Sequence, residues 1–237
     1  FVGEKIFIKM ESGGGFFTDE VLEKGQGIIL TEREKQERQK IQKQHFEPLL
    51  VCQKSAFNEE DLSHLSAGNI AACFGEHYDQ NGRNISFRLP PLPMCMIDRV
   101  TSVDPKGGAW GLGLLVAEKT LDPEHWYFNC HFKDDFCLPG TLVSEGCTHL
   151  LGFYMFYLGL QTRTNNAWGQ PILHTPQIGR YRGQIKPTSA TLTFQLEITE
   201  IGLEPQPFVR ADASVIFEGK TIAMIKNVGL RLVEKHS

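Results

Sequence analysis

The chain has 237 residues, of which 41% are hydrophobic and 22% are charged, and its formal net charge is −4. These values are typical of a globular protein of one or two domains, and they disfavour a nucleic-acid-binding protein, which is usually basic. The longest strongly apolar stretch, residues 150–160, has about half of the ~20 residues that a membrane span needs, and no signal peptide is visible. Six cysteines are too few for a disulfide scaffold, so we expect free thiols in a reducing, cytoplasmic compartment.

The first residues suggest that the chain is part of a longer protein. Residues 1–10 have the pattern of a strand and lack an initiator methionine. Residues 1–16 also align weakly with residues 217–232, with Phe1 matching Phe217 and Gly3 matching Gly219. This is either a chance likeness of two strand–turn–strand patterns or the closing strand of a preceding copy of the same domain.

Two helices are predicted in the rest of an N-terminal region, residues 1–92. Thr31 followed by Glu34 is a capping box, and the charged residues after it predict a solvated linker helix. Asn58 is a good N-cap for a second helix over residues 58–74, which carries an apolar stripe. Glycines and the proline-rich residues 89–93 then break the chain, so we place a domain boundary there.

The C-terminal region, residues 93–237, is predicted to be a sheet with one long helix. Residues 140–160 form a helix that is apolar on all sides, and such a helix must be buried or lie in a membrane. Since it is too short for a membrane span, the sequence predicts an α+β hotdog fold, in which a curved antiparallel sheet wraps around a central helix. The strands are predicted before and after the helix, at residues 94–103, 111–119, 126–132, 172–185, 190–201, 208–217 and 221–232.

The residues best suited to chemistry lie just before and within the start of the buried helix. His131 is predicted to end a strand, and Pro139-Gly140 turns the chain into the helix. Glu145 follows within the first turns, where a charged carboxylate is costly unless it is paired or protonated. Taken singly, Glu145 is also explained as a favourable negative charge near a helix N-terminus, and His131 as a hydrogen-bonded core histidine.

The joint pattern resembles the active-site motif of the β-hydroxyacyl thioester dehydratases. The resemblance is closest to the β-hydroxydecanoyl type and to the dehydratase domains of polyunsaturated fatty acid synthases. The motif reads His-Phe, Asp, Pro-Gly and an acid, at positions His131-Phe132, Asp135, Pro139-Gly140 and Glu145. Further segments that resemble the family lie at residues 93–100, 126–132, 152–154 and 183–187, and residues 58–79 resemble the leader of the synthase domains.

Three positions depart from the family pattern. Phe136 stands where the family usually has proline, and Glu145 stands where the β-hydroxydecanoyl type has Asp. His149 replaces a glutamine one helical turn after the acid, and its titratable ring could pair with Glu145 or change its acidity.

The resemblance implies a reaction and roles for the residues. A 3-hydroxyacyl thioester, carried on the phosphopantetheine of an acyl carrier protein, loses water to give the 2-enoyl thioester, with or without isomerisation from trans-2 to cis-3. Neutral His131 would take the α-proton, protonated Glu145 would give a proton to the leaving hydroxyl, and the Gly140 N–H would stabilise the thioester oxygen. No metal or redox cofactor is required. The implied substrate-binding residues around this centre are Cys130, Phe132, Pro139 and His149.

The implied partners are an acyl carrier protein and a second hotdog domain. Arg180, Arg182 and Lys186 fall on the predicted strand after the helix, where we expect some of them to meet the phosphopantetheine phosphate or an acidic carrier protein. The alternative is an ordinary charged strand face. Hotdog domains pair edge to edge, and in the resembling dehydratases the His and the helix acid of one site come from the two halves of the pair. A homodimer or pairing with another hotdog domain is therefore expected.

Other readings of the same residues remain open. Cysteines and histidines crowd residues 130–149, but they form no Cys-x-x-Cys pair of the kind that structural zinc usually uses. Cys130 would face away from His131 on a strand, and Cys137 has no evident base, so neither is a strong nucleophile candidate. A hotdog acyl thioesterase and a non-catalytic hotdog that supports a neighbouring domain are the two functional alternatives.

Overall fold

The long helix α4, Gly140–Tyr157, is packed against an antiparallel sheet in the computed structural model, which describes residues 8–15, 17–18, 20–21 and 24–234. Before it come α1 (Glu32–Gln39), α2 (Glu59–Ala67) and α3 (Ile70–Phe74). Single 3₁₀ turns lie at Glu76–Tyr78, Phe128–Cys130 and Leu160–Arg163. The strands are β1 (Arg99–Asp104), β2 (Leu114–Leu121), β3 (Ala167–Pro171), β4 (Ile178–Tyr181), β5 (Ala190–Gly202), β6 (Phe208–Phe217) and β7 (Lys220–Glu234).

The sheet has the order β1-β2-β5-β6-β7-β3, and β4 pairs with β7 beside β3. Every pairing is antiparallel. The helix α4 contacts β5, β6 and β7 and is buried along most of its length, as an element that is apolar on all sides requires. The protein therefore has the α+β hotdog fold that the sequence predicted.

Alternating burial fixes which face of the sheet meets the helix. On β5 the side chains of Leu192, Phe194, Leu196 and Ile198 are fully buried, whereas Thr193 and Gln195 between them are only partly buried. The strand β6 coincides with the predicted residues 208–217. Because strand side chains alternate between faces, the period of two in the sequence was sufficient to orient these strands.

The predicted strand at residues 126–132 is wrong. From Asp122 onward the chain instead forms successive turns: the N–H of His125 donates to the carbonyl of Asp122, and the N–H of Phe128 donates to the carbonyl of His125. The Phe128–Cys130 3₁₀ turn follows. Tyr127 and Phe128 are nevertheless both buried. Aromatic residues favour strands mainly because strands bury them, and here a turn buries them equally well.

Three further predicted elements differ in extent. The first predicted strand begins only at Arg99, and residues 172–185 contribute only the short β4, while β3 lies before them. The predicted helix 58–74 is divided into α2 and α3, because Gly68 adopts a left-handed conformation (φ 83°) and caps α2. The predicted N-caps at Thr31 and Asn58 are confirmed, and both form complete capping boxes.

Residues from both sides of the predicted boundary share one hydrophobic core. Phe57 forms an antiparallel bridge with Val100, and its ring lies 4.9 Å from that of Phe153 in α4. The hydroxyl of Tyr78 donates to the carbonyl of Tyr157 at 2.7 Å. The division into residues 1–92 and 93–237 stays a prediction.

The strand predicted at residues 1–10 lies only partly within the described part of the chain. Residues 1–7 lie outside the described part of the chain, and no strand is formed by the described residues 8–15. Within the described ranges, no helix is both long enough and apolar enough to cross a membrane.

Candidate active site

His131 is held in a tight loop that leads into α4. The Cys137 N–H donates to the His131 carbonyl at 2.8 Å, and Phe132 and Asp135 exchange backbone hydrogen bonds within the loop. The Nδ1 atom of His131 lies 3.3 Å from the Cys137 carbonyl oxygen and 3.6 Å from the Cys137 thiol. Since a carbonyl only accepts, this contact assigns the proton of a neutral His131 ring to Nδ1 and leaves Nε2 as the basic nitrogen.

The loop is anchored to the segment after β4. The amide of Gln184 donates to the Asp135 carboxylate at 3.2 Å, and the Leu138 N–H donates to the Ile185 carbonyl at 2.8 Å. These two contacts fix the position of His131 relative to the start of α4. The sequence located this histidine through the motif, but nothing in the sequence identified the Cys137 carbonyl and Gln184 as its supports.

Gly140 is the first residue of α4, and Pro139 before it carries no side-chain cap for the helix. The first N–H groups of a helix have no partner within it, so the Gly140 N–H is a donor available to a bound oxyanion. A Cβ atom built on Gly140 would meet only the ring of Tyr181, at 3.6 Å. The surrounding protein would therefore accept a larger residue at this position. Glycine serves here to let a ligand approach the backbone closely.

Glu145 lies on an accessible face of an otherwise buried helix, and its side chain is 55% exposed. Partial burial raises the pKa of the Glu145 carboxyl above its ordinary value. Its Oε2 lies 3.6 Å from Nε2 of His149, one turn along the helix. Deeper burial of Glu145, which the sequence analysis expected, is not present in the single chain.

His149 is far less exposed than Glu145. Its Nδ1 accepts a hydrogen bond from the Met96 N–H at 3.2 Å. Burial, with a smaller contribution from the charge of Lys119, lowers the pKa of His149 to about 4. Lys119 is itself buried on the inner face of β2 and pairs with Asp98 at 2.6 Å. The Met96 N–H and Lys119 had no recognisable sequence signal, because both reach His149 from other elements.

The remaining residues predicted around the site differ in accessibility. The Phe132 ring lies beside the His131 ring, with centroids 3.7 Å apart and planes tilted by 31°, and Phe132 is 56% exposed. Cys130 is exposed and donates to the Tyr127 carbonyl, whereas Cys137 is buried. Because Cys130 ends a 3₁₀ turn, the expectation that it faces away from His131 across a strand has lost its basis.

Arg180 and Arg182 have different surroundings. The Arg180 guanidinium pairs with Glu34 of α1 at 2.7 Å. Arg182 donates to the neighbouring Tyr181 carbonyl and lines an open cleft of about 490 Å³, which Lys186 and Lys220 also line. Gln184, which supports the His131 loop, borders the same cleft. The cleft thus carries more positive than negative charge beside the candidate site.

Within one chain, the predicted base and the predicted acid are not bonded to each other. His131 lies in the loop before α4 and Glu145 lies near the N-terminal end of α4, yet in the part of the chain that the structure describes no hydrogen bond or ion pair joins their side chains. In the same part of the chain, no group of three or more His, Cys, Asp and Glu side chains is placed to hold a metal ion. All six cysteines are free thiols.

Comparison with known proteins identifies the family of the chain. The model of the FabA-like domain family matches residues 89–226, which is more than half of the chain. The chain is 38% identical over 223 residues to one of the subunits of a polyunsaturated fatty acid synthase from Thraustochytrium sp., covering 91% of this chain and 15% of that protein. It therefore spans about a seventh of the length of that relative.

Solved structures give weaker likenesses. A dehydratase heterocomplex from Xenorhabdus doucetiae has 11% identity and a TM-score of 0.46, over 65% of this chain and 92% of that one. A thioesterase with coenzyme A from Streptococcus pneumoniae has 14% identity and a TM-score of 0.34, over 52% and 81%. Neither likeness carries an argument about activity. With the family match, the hotdog architecture and the His131–Gly140–Glu145 motif together, the chain belongs to the FabA-like family and is a FabA-like dehydratase domain related to a polyunsaturated fatty acid synthase.

Proposed function

We propose that this domain is a hydro-lyase that dehydrates 3-hydroxyacyl thioesters on an acyl carrier protein to 2-enoyl thioesters, in fatty acid or polyunsaturated fatty acid synthesis. The observation that carries the proposal is the state of His131. Its Nδ1 is committed to the Cys137 carbonyl, so Nε2 is free as a base at the entrance to a helix whose first N–H is open.

The proposed reaction uses three groups. Nε2 of His131 takes the α-proton of the substrate, and the electrons of that C–H bond pass toward the thioester carbonyl. The negative charge on the carbonyl oxygen is stabilised by the Gly140 N–H at the positive end of α4. The electrons then form the carbon–carbon double bond as the 3-hydroxyl leaves with a proton from Glu145 as water. The raised pKa of Glu145 supports its role as the acid.

We propose further that each complete site combines His131 and Glu145 from two hotdog units. The half-exposed Glu145 carboxyl supports this, because a partner unit would cover it and raise its pKa further. The β3–β4 side of the sheet supports it as well, since it exposes apolar side chains at an edge: Trp168, Ile178 and Tyr181. A second copy of this chain and another hotdog domain of a longer protein both fit this edge.

The carrier protein is proposed to approach at the cationic cleft of Arg182, Lys186 and Lys220. This cleft adjoins Gln184 and hence the His131 loop, so a phosphate bound there would direct the thioester toward His131. Arg180 remains a predicted contact, but its pairing with Glu34 makes it a weaker candidate than Arg182. We also propose a reducing, cytoplasmic location.

The test is direct assay of the purified protein with 3-hydroxyacyl and 2-enoyl carrier-protein substrates of several chain lengths, analysed by mass spectrometry. Reversible loss and gain of water is expected, and both His131→Ala and Glu145→Gln should abolish it. Release of free acid in place of enoyl product would indicate a thioesterase. Binding without either reaction would indicate a non-catalytic hotdog, and the position of the double bond reports whether isomerisation occurs.

A further inference from the structure

A strap of residues 25–44 crosses the outer face of the sheet, away from α4, and carries α1 at its centre. At one end the Ile28 N–H donates to the Thr221 carbonyl of β7 at 2.7 Å. At the other end the Gln44 N–H donates to the Trp110 carbonyl, between β1 and β2, also at 2.7 Å. Backbone hydrogen bonds therefore fix both ends of the strap, and α1 spans the distance between them.

The contacts that α1 makes with the sheet are ionic. The helix buries none of its side chains, and a cavity of about 530 Å³ lies between it and the sheet. Glu34 pairs with Arg180 of β4 at 2.7 Å, and Arg38 pairs with Glu197 of β5 at 2.5 Å. Because a helix of eight residues is marginal on its own in water, these two pairs determine where α1 lies.

The two ion pairs differ in strength. The Arg38 guanidinium binds both carboxylate oxygens of Glu197, whose side chain is only 7% exposed, and the Ala109 N–H donates to the same carboxylate. Arg180 binds Glu34 through Nη2, and the Arg180 side chain is 36% exposed. Buried bidentate pairs are stronger than exposed contacts, which solvent and salt weaken. The C-terminal end of α1 is therefore anchored, and its first turn is held by the weaker contact.

Glu34 joins the start of α1 to Arg180. Its Oε1 accepts a hydrogen bond from Arg180, and its Oε2 accepts one from the Thr31 N–H at 2.8 Å, which completes the capping box of the helix. One side chain thus ends the helix and covers the arginine. The position of the first turn and the pairing of Arg180 must change together.

The covered Arg180 lies beside the cationic cleft. Arg182 lines that cleft, and its N–H donates to the Ile222 carbonyl of β7, which continues the pairing of β4. Since residues two apart along a strand point to the same face, Arg180 and Arg182 share one face of the sheet. Gly25, the first residue of the strap, forms part of the cleft wall. The strap therefore starts at the cleft and covers the arginine that would extend it.

We propose that the docking surface for the acyl carrier protein continues from the cationic cleft to Arg180, and that Glu34 is a latch on this end of the surface. An acidic side chain of the carrier replaces Glu34 when it docks. This inference rests on the proposed carrier-protein substrate. The partner follows from charge, because the position that Glu34 fills takes a carboxylate, and exchange of one carboxylate for another keeps Arg180 paired.

The latch has a measurable cost for affinity. Only the molecules in which Glu34 has left Arg180 can form the full contact with the carrier, so the closed latch weakens the apparent affinity. Removing the charge of Glu34 should therefore tighten binding. A carrier that docks on the cleft alone would be indifferent to Glu34.

The first test measures binding and requires no catalysis. Calorimetry gives the Kd of a holo-acyl carrier protein for Glu34→Gln, in which the new amide keeps the capping-box acceptor and the charge is lost. We expect Glu34→Gln to bind the carrier about 3- to 10-fold tighter than the unmodified protein does. The same change should have no effect in an Arg180→Gln background. Unchanged or weaker binding by Glu34→Gln would overturn the inference.

Glu37→Gln is the matched control, because it removes an equal charge one turn along the same helix. Glu37 pairs with Arg33 of α1 at 2.8 Å, where both side chains are more than half exposed. The affinity of this variant for the carrier should be unchanged. An equal gain in Glu37→Gln would show that net charge alone causes the effect, and would contradict a latch at Arg180.

The second test follows the helix itself by hydrogen exchange. A short helix frays once it leaves the sheet, so the N–H groups of residues 35–38 should exchange faster when the carrier is bound. Binding that leaves the latch closed would leave their exchange unchanged or slow it. Either of those results would overturn the inference.

Kinetics with a short pantetheine thioester separates this inference from the proposed function. Glu34→Gln should leave kcat and KM for that substrate unchanged, because it brings no protein to dock. If the protein dehydrates its substrates but carrier affinity does not respond to Glu34, the function stands and the latch is wrong. If no substrate is dehydrated, the proposed function fails, while the binding and exchange measurements still decide whether Glu34 is a latch.

Discussion

Arg180 and Glu34 lie 146 residues apart in the sequence, yet Nη2 of the arginine is 2.7 Å from Oε1 of the glutamate. This pair joins the linker helix α1 to β4. A second pair, Arg38 with the buried Glu197 of β5 at 2.5 Å, holds the other end of the same helix. The helix buries no side chain of its own, so ion pairs in place of apolar packing hold it on the outer face of the sheet.

The first prediction separates the two arginines. Arg182→Glu should raise KM about tenfold for a carrier-protein substrate and much less for a short pantetheine thioester, because it reverses a charge in the cationic cleft. Arg180→Glu should change KM less and destabilise the protein by about 1 kcal/mol, through loss of the pair with Glu34. Steady-state kinetics and thermal unfolding measure the two effects.

The swap Glu34→Arg with Arg180→Glu serves as the control for the first prediction. It restores opposite charges at the same two positions and should recover the stability of the unmodified protein. Equal KM effects of the Arg182 change on both substrates would argue against a carrier-protein contact at the cleft.

The second prediction uses three glycines of α4. Gly140→Ala should fold normally, since its added Cβ meets only the Tyr181 ring at 3.6 Å, but kcat should fall about 100-fold because the methyl group hinders approach to the Gly140 N–H. Gly152→Ala is the matched control, because its Cβ would lie 3.5 Å from Leu230 and outside the proposed site. Its activity should be unchanged.

Gly146→Ala should instead act on stability. Its Cβ would lie 2.4 Å from carbons of the buried Phe194 ring, and overpacking of this kind costs about 1–3 kcal/mol. Thermal melts followed by circular dichroism, together with kcat, should thus distinguish the three variants. Gly140→Ala should lose activity, Gly146→Ala should lose stability, and Gly152→Ala should lose neither. A Gly140→Ala protein with full activity would remove Gly140 from the proposed oxyanion site.

The third prediction concerns the shared site. His131→Ala and Glu145→Gln should each be inactive, and mixing them under conditions that exchange subunits should restore up to one intact site per mixed dimer. Recovery arises because one protomer keeps the base and its partner keeps the acid. The dehydration assay measures activity, and labelled protomers report exchange. A mixture that stays inactive while exchange occurs would place both residues in one chain or beside a different domain.

The fourth prediction tests the boundary at residue 92. Removing residues 1–92 should leave a protein that aggregates or fails to melt cooperatively, because the lost segment covers part of α4 and contributes Phe57, Phe74 and Tyr78 to the single core. Phe57→Ala in the full chain should lower the free energy of unfolding by about 3–5 kcal/mol. A truncated protein with a normal cooperative melt would establish residues 93–237 as an independent domain.

The sequence by itself determined the elements whose burial pattern is local. The helix α4 followed from a run that is apolar on all sides, and β5 and β6 followed from their period of two, since each pattern dictates which faces must leave water. The capping boxes at Thr31 and Asn58 depend on residues three apart, so the sequence also indicated where these two helices begin. The motif around His131, Gly140 and Glu145 was also a local signal, and it led to the correct family.

Tertiary structure decided what depends on contacts between distant segments. The turns at residues 126–130 replaced a predicted strand because hydrophobicity reports burial and not backbone conformation. The lowered pKa of His149 depends on its burial and on Lys119, and its Nδ1 binds the Met96 N–H; both partners reach the helix from other elements. Arg180 had the same local pattern as Arg182, and only the folding of α1 across the sheet distinguished them. The sequence shows which groups can titrate. The whole fold determines which charges and how much burial surround each of them, and these set its charge state.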